Sequence, residues 1–185
     1  MFRFEKSFVF LFVAVCLFLL SCGDSKPEIV AMEKRDSIPL LLEENVSTLI
    51  SDSGITRFRI TAPQWLIFDK RAEPYWSFPK GIYFERFDEN YQVEATMRAR
   101  EAIYYENREL WEFNGAVEVK NLADEVFTTE QLFWNNGESR FYSDSIIHIQ
   151  QKERNITGIG FESNASLTRY TIRKPIGEIP VENQQ

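Results

Sequence analysis

An alternation of apolar and polar residues runs through most of the chain from residue 55 onward. In residues 91–99 the odd-numbered positions are apolar and the even-numbered ones polar, and residues 56–60 and 115–120 alternate in the same way. Successive side chains of a β-strand point to opposite faces, so this alternation buries one face and leaves the other in water. No segment after residue 55 carries a comparable helical spacing of apolar residues. The pattern predicts an all-β fold.

The alternating segments recur as a weak internal repeat. Residues 99–119 match residues 129–149, about 30 positions later, and residues 62–84 resemble an earlier copy. Each copy reads as a strand, a turn, an aromatic strand, a second turn and a β-branched strand. Repeats of this kind stack and share a continuous core. We therefore predict an open sandwich or β-jelly roll of stacked antiparallel strands over residues 55–180, with edges that can recruit other strands.

The first 21 residues have the layout of a bacterial lipoprotein signal peptide. Arg3 and Lys6 precede an apolar run over residues 7–20. In helical form that run would cover about 20 Å, too little for a hydrocarbon core of about 30 Å. The run ends in Leu19-Leu20-Ser21-Cys22, which resembles a lipobox. The resemblance implies cleavage before Cys22, lipidation of its thiol and further acylation, for example with palmitate. An ordinary signal peptide or an uncleaved anchor with an incidental cysteine is the alternative.

Residues 22–54 are predicted to form the lipidated amino terminus and a mostly extended tether. They are mostly polar, with an apolar stretch at residues 38–42, and they contain Pro27 and Pro39. Once the signal peptide and its Cys16 are removed, Cys22 is the one cysteine left, so no disulfide is expected. Several acyl chains on one residue would hold the protein stably at a membrane.

Charge and residue inventory argue against several classes of function. The chain has 21 Lys and Arg against 28 Asp and Glu, a formal net charge of −7, so nucleic acid is not an expected partner. The one histidine, His148, lies between two isoleucines in a predicted strand and can form neither a catalytic triad nor a multi-histidine metal site. The lone Gly158-x-Gly160 is expected to be a strand bulge. We expect no catalytic residues, no metal and no cofactor, and a carboxylate-based hydrolase is disfavoured.

Aromatic residues make up 15% of the chain, with 16 phenylalanines. A domain of ordinary packing could use them as core, and an apolar ligand cavity would use the same residue types. The pattern alone leaves both interpretations open. One is a dry sandwich that acts as an interaction or scaffold module on a lipoprotein; the other is a lipid-binding interior.

Three groups of residues resemble the LptC family, the periplasmic component of lipopolysaccharide export, and together they cover roughly residues 45–180. The first is Asp52-Ser53-Gly54, Phe58 to Pro63 and Phe78 to Gly81; the second is Trp111, Phe113, Gly115, Val117 and Val119; the third is Ile156 to Phe161, Leu167 to Ile172 and Gly177. The related LptA and the amino-terminal domain of LptD share the repeat. The membrane attachment favours LptC over LptA, and the short chain excludes the LptD barrel. Well-known LptC members use a transmembrane helix where this sequence has a lipobox.

The LptC resemblance implies a protein on the periplasmic side of the cell membrane, with the inner membrane favoured over the outer, and the lipobox implies that a lipid anchor holds it there. It would accept lipopolysaccharide from the transporter LptB2FG, hold the lipid A acyl chains in an apolar groove and pass them to LptA. ATP hydrolysis by the transporter would supply the energy, so this chain would need no enzyme activity. The predicted groove residues are Phe58, Ile60, Ile82, Phe84, Trp111, Phe113, Val117, Val119, Leu132, Trp134, Ile147 and Ile149. The last strand, with Leu167, Tyr170 and Ile172, is the predicted LptA edge, and residues 55–62 are the predicted transporter edge.

Overall fold

A computed structural model describes residues 37–52 and 54–177. The strands in these ranges are β1 Leu41–Asp52, β2 Ile55–Phe68, β3 Tyr75–Phe78, β4 Ile82–Phe87, β5 Val93–Ala99, β6 Glu101–Tyr105, β7 Leu110–Asn121, β8 Val126–Asn135, β9 Arg140–Gln150, β10 Asn155–Asn164 and β11 Tyr170–Ile176. A 3-10 helix, Glu106–Arg108, joins β6 to β7. The prediction of an all-β fold is confirmed. The signal peptide, Cys22 and the tether to residue 36 lie outside the described residues. Within the described part, no helix is long and apolar enough to cross a membrane.

The strands pair antiparallel in one sheet that branches into two layers. Its order is β11-β10-β9-β8-β7-β5-β4-β2-β3-β6, with β1 beside β2 and β6 also beside β7. Strand β2 pairs with β4 through residues 58–61 and with β3 through residues 66–68. Strand β7 pairs with β6 through residues 110–114 and with β5 through residues 118–121. One layer therefore contains β4 and β5, the other contains β3 and β6, and the longer strands contribute one half to each.

Register breaks mark the points where the long strands pass from one layer to the other. They fall between Asn114 and Val117 in β7, between Thr129 and Phe133 in β8, and between Ile159 and Phe161 in β10. Extra residues in one strand bend it and increase its twist. In β10 the break contains Gly160, whose φ of +77° suits glycine, and the bulge predicted there is confirmed. We call this line of register breaks the bulge row.

The inward faces of both layers form one hydrophobic core. Its fully buried members include Phe78, Phe113, Phe127, Phe161 and Leu132, each at most 2% exposed. Burying one such side chain contributes about 1.5–3 kcal/mol. The period-2 alternation explains the arrangement, because it places every second side chain of a strand between the layers.

The sheet begins earlier than the sequence pattern predicted. Strand β1 lies within the predicted tether of residues 22–54, and it pairs with β2 from Leu41 to Asp52. As an edge strand it leaves Glu43 and Glu44 in water, and this polarity makes it look like a linker in the sequence. The predicted domain boundary at residue 55 is therefore too late. The predicted transporter edge at residues 55–62 is covered by β1, which takes the outer position.

Candidate functional site

The twelve predicted groove residues all belong to the core between the two layers. Ten of them are at most 8% exposed, and Phe58 and Trp134 are half-buried against the same cluster. The sequence alternation thus identified inward-facing side chains on both layers. We call the space that they line the groove.

Aromatic rings fill the part of the groove near β3 and β6. Trp111 stacks on Phe113 and Tyr104, with ring centroids 5.6 and 4.8 Å apart. It also meets Phe84 edge-on at 5.5 Å. Phe84 lies in the β4–β5 layer and Trp111 in the other layer, so this contact spans the interior. Such aromatic pairs contribute about 0.5–1.5 kcal/mol beyond the area they bury. The ring cluster therefore fastens the two layers together at this end.

An apolar pocket lies farther along the groove, and we call it the mouth pocket. Phe58 and Phe84 line it from the β4–β5 layer, and Trp134 and Phe141 line it from the hairpin between β8 and β9. Its volume is about 30 Å³, room for only one or two water molecules, since a cavity of about 10–15 Å³ can already hold one. An acyl chain needs much more room, so a lipid could fit only if the layers separated. Phe141 was not among the predicted groove residues. It lies two positions before Ser143 in β9, and both side chains are buried, so the period of two along this strand could have identified it.

The turn between β10 and β11, residues 164–169, closes one end of the mouth pocket. Leu167 lines the pocket and is only 1% exposed. The turn is organised by Asn164, whose side-chain Oδ1 accepts the backbone N–H groups of Thr168 at 3.1 Å and Arg169 at 3.0 Å. The Leu167 N–H donates to the Asn164 carbonyl at 3.0 Å. Leu167 was predicted on the docking edge, and the structure buries it instead because it points inward from this turn.

Two polar side chains of the β4–β5 layer reach across to the same turn. Arg86 at the end of β4 donates from Nη1 to the Ala165 carbonyl at 2.5 Å, and its Nε donates to Glu94 Oε2 at 2.8 Å. Asn121 at the end of β7 donates from Nδ2 to the Leu167 carbonyl at 3.3 Å. Strand β10 enters the turn from the β3–β6 layer. These bonds therefore join the two layers across the mouth pocket.

Tyr170 adds a further contact between the layers near the turn. Gln151 Nε2 donates to the Tyr170 hydroxyl at 3.0 Å. Burial raises the pKa of Tyr170, and the negative charge of Glu125 raises it further. The phenol is therefore neutral across the physiological range, and its ring meets Phe127 edge-on at 5.5 Å. Tyr170 and Ile172, two residues of the predicted docking strand, point their half-buried side chains toward the core.

The backbone of β11 forms one edge of the sheet. Among the described residues, β11 pairs with β10 alone, and β1 pairs with β2 alone. The Asn164 N–H donates to the Arg169 carbonyl at 3.2 Å, which makes this a hydrogen-bonded pair of the antiparallel ladder. Because such pairs alternate, the N–H group of Thr171 points to β10, and those of Tyr170 and Ile172 point outward. These outward donors can pair with the carbonyl groups of another strand.

The single histidine lies on the outer surface. His148 is exposed, and its Nδ1 lies 3.0 Å from Thr157 Oγ1 on the neighbouring strand. In residues 37–52 and 54–177, no group of three or more His, Cys, Asp or Glu side chains could hold a metal ion. The chemistry concentrated in this part of the chain is therefore apolar burial between layers and backbone pairing at edges.

The family model described as "Lipopolysaccharide-assembly, LptC-related" matches residues 8–175. The chain belongs to this family. No curated protein matches it. Membership confirms the LptC resemblance and agrees with the antiparallel β-jelly roll. LptC proteins act in lipopolysaccharide transport, in the periplasm and in association with the inner membrane, and they are transport proteins rather than known enzymes.

Proposed function

We propose that this LptC protein carries lipopolysaccharide by holding lipid A acyl chains between its two layers. The observation that carries this proposal is the apolar mouth pocket, which continues the inward faces of both layers. Removing one CH₂ group from water is worth about 0.8 kcal/mol, so acyl chains could not cross the periplasm bare. An apolar interior that opens along its length would shield them throughout the passage.

The way the layers meet supports such opening. At the mouth pocket they touch through Phe58, Phe84, Trp134 and Phe141 and through a few side-chain hydrogen bonds. The backbone ladders run within each layer. Separating the layers there would therefore leave the ladders intact, and acyl chains would replace the apolar contacts that are lost. The bulge row would act as the hinge.

The two edges support a place in a chain of proteins. Strand β1 lies at one side of both layers and β11 at the other, and each has backbone groups that another strand could pair with. We propose that β1 meets the periplasmic part of LptB2FG and that β11 meets LptA. Pairing at both edges would align successive grooves. The transporter would supply the energy through ATP hydrolysis, so this protein would contribute no catalytic residue.

Cys22 is the proposed attachment point for the lipid anchor. Its place after the apolar run, in Leu19-Leu20-Ser21-Cys22, supports cleavage and acylation there. The anchor would hold the jelly roll at the periplasmic face of the inner membrane. Growth with labelled palmitate should label the protein, and Cys22→Ala should abolish the labelling. Persistent labelling of that variant would contradict this assignment.

Photocrosslinking tests the transport proposal directly. A photoreactive phenylalanine analogue at Phe113 or Phe141 should give adducts with lipopolysaccharide in cells, because both side chains lie between the layers. The same analogue at Leu122, which is 72% exposed on the β7–β8 hairpin, is the matched control and should give none. Absence of adducts from both inward positions would contradict transport through the groove.

A dry scaffold module is the second candidate function. The volume of about 30 Å³ at the mouth pocket favours it, because a sandwich packed this closely is stable without a ligand. Depletion of the protein separates the two functions. Under the transport proposal, lipopolysaccharide should accumulate at the inner membrane and decline at the cell surface. Unchanged surface lipopolysaccharide would favour the scaffold.

A further inference from the structure

Leu167 adopts a backbone conformation that leucine rarely takes. Its φ is +56°, in the left-handed region, although its side chain is buried to 1% exposure. Bulky L-residues avoid this region because the β-carbon approaches the backbone too closely. A residue held there is fixed by its surroundings rather than by its own preference. Here the surroundings are the Asn164-organised turn behind Leu167 and the mouth pocket in front of it.

The turn is organised within itself and only lightly attached to the opposite layer. Asn164 accepts two backbone N–H groups of the turn, and its Nδ2 donates to the Ser166 and Thr168 hydroxyls, both at 3.0 Å. The polar attachments to the β4–β5 layer are the bonds from Arg86 and Asn121 to the turn carbonyls. Each donor has a second partner on its own layer, Glu94 for Arg86 and Glu125 for Asn121. Release of the turn would therefore leave neither donor unpaired.

We infer that residues 164–169 are a lid over the β11 end of the groove, with Leu167 as its plug. This inference rests on the proposed function. Leu167 fills space in the mouth pocket that an acyl chain would take, and its burial there replaces the apolar contact that a lipid would make. When lipid reaches this end, the turn swings outward as a unit, the Arg86 and Asn121 bonds break, and the plug leaves the pocket. The lid thus keeps the empty groove closed to water at the edge proposed to meet LptA.

The test uses the full-length, membrane-attached protein with the photoreactive analogue at Phe113. Leu167→Gly removes the plug, and glycine adopts a positive φ without strain, so the turn is retained. Arg86→Met keeps the stem of the side chain and removes one attachment bond to the turn, together with the Glu94 contact within its own layer. Because one hydrogen bond shifts such an equilibrium about two- to tenfold, Arg86→Met should form lipopolysaccharide adducts faster by about that factor. Leu167→Gly should also form them faster, because it leaves the mouth pocket without its plug. Leu122→Gly, the same substitution at an exposed site, is the matched control and should react at the original rate.

Hydrogen exchange gives a second measurement that does not depend on variants. Adding purified lipopolysaccharide to the original protein should speed amide exchange in residues 164–169. Equal rates of adduct formation in all variants, together with unchanged amide exchange in the turn, would overturn the lid proposal. The transport proposal would still stand. Absence of adducts in every variant, Leu167→Gly included, would overturn the transport proposal itself. If Leu167→Gly fails to fold, the Arg86→Met rate and the exchange measurement still decide.

Discussion

At the scale of single residues, burial separates side chains that hold the layers together from those that only cover the surface. Phe113 is 0% exposed and stacks on Trp111 at the centre of the ring cluster, whereas Leu122 is 72% exposed. Sequence alternation predicted that Phe113 points inward, because the position of a residue within a strand decides on which face its side chain lies. The prediction failed at Leu167, because the burial of that side chain depends on a turn. Asn164 sets the shape of that turn, and no sequence period reveals it.

Phe113→Ala should strongly destabilise the fold. It deletes a fully buried ring in contact with Trp111, and such truncations lower the free energy of unfolding by about 3–5 kcal/mol. Leu122→Ala is the control, and it should change the free energy of unfolding by no more than about 0.5 kcal/mol. Urea unfolding curves of the three proteins provide the measurement. Equal effects of the two substitutions would show that the interior is not packed as described.

Asp88 should make folding stability depend on pH in the acid range. Its Oδ1 accepts the backbone N–H groups of Asn90 and Gln92, both at 2.8 Å, and these bonds lower the pKa of the carboxyl group. A lowered pKa stabilises the fold above the unfolded value of about 3.9, and that stabilisation is lost as pH falls through the folded value. Asp88→Asn keeps an acceptor and removes the titration. The stability advantage of Asp88 over this variant should shrink as pH falls below about 4. A constant difference across that range would contradict this role.

At the scale of elements, the two edge strands differ in how far sequence reveals them. The carboxy-terminal strand was predicted because residues 170 and 172 are apolar and alternate with polar neighbours. Strand β1 was not, because it exposes Glu43 and Glu44 together with two leucines, Leu42 and Leu49, and thus shows no clean alternation. Pairing with β2, the next strand along the chain, makes it a strand, and pairing partners are not encoded in local periodicity.

Ile172→Pro should weaken docking to LptA by more than the loss of its side chain explains. The Ile172 N–H points away from β10, so proline removes an outward donor and no internal ladder bond. Ile172→Ala is the matched control, because it loses the same half-buried side chain and keeps the donor. Thr171→Pro is the contrasting variant, because the Thr171 N–H points to β10 and its loss should lower stability. Binding to purified LptA, measured with unfolding curves for all three variants, tests this. LptA binding by a folded Ile172→Pro variant that equals the binding of Ile172→Ala would show that the docking edge lies elsewhere.

At the scale of the whole molecule, the sheet closes on itself through side chains and remains open at its two sides. The repeat in the sequence predicted stacked strands and free edges. It could not show that β2 and β7 each pair with two different strands along one side, since that branching depends on where bulges interrupt the ladders. The two-layer architecture therefore emerged only from the three-dimensional register.

Open edges at both sides should make the isolated protein associate with itself. In the described part of the chain β1 and β11 each have one strand neighbour, and unpaired strands recruit other chains. Sedimentation velocity over a rising concentration series should show growing oligomers. Ile172→Pro should reduce them, and the exposed-site substitution Leu122→Ala should not. A species that stays monomeric at every concentration would show that the edges are covered.

The bulge row ties the two layers together in a way that shapes any movement of lipid. Because β7, β8, β9 and β10 each run through both layers, the two layers are joined covalently along the bulge row. The layers can separate on the side away from the bulge row, but neither layer can slide along the other. Opening at one strand must then tilt its hydrogen-bonded neighbour. A cargo moving from β1 toward β11 would be accompanied by a local gap that travels with it and closes behind it.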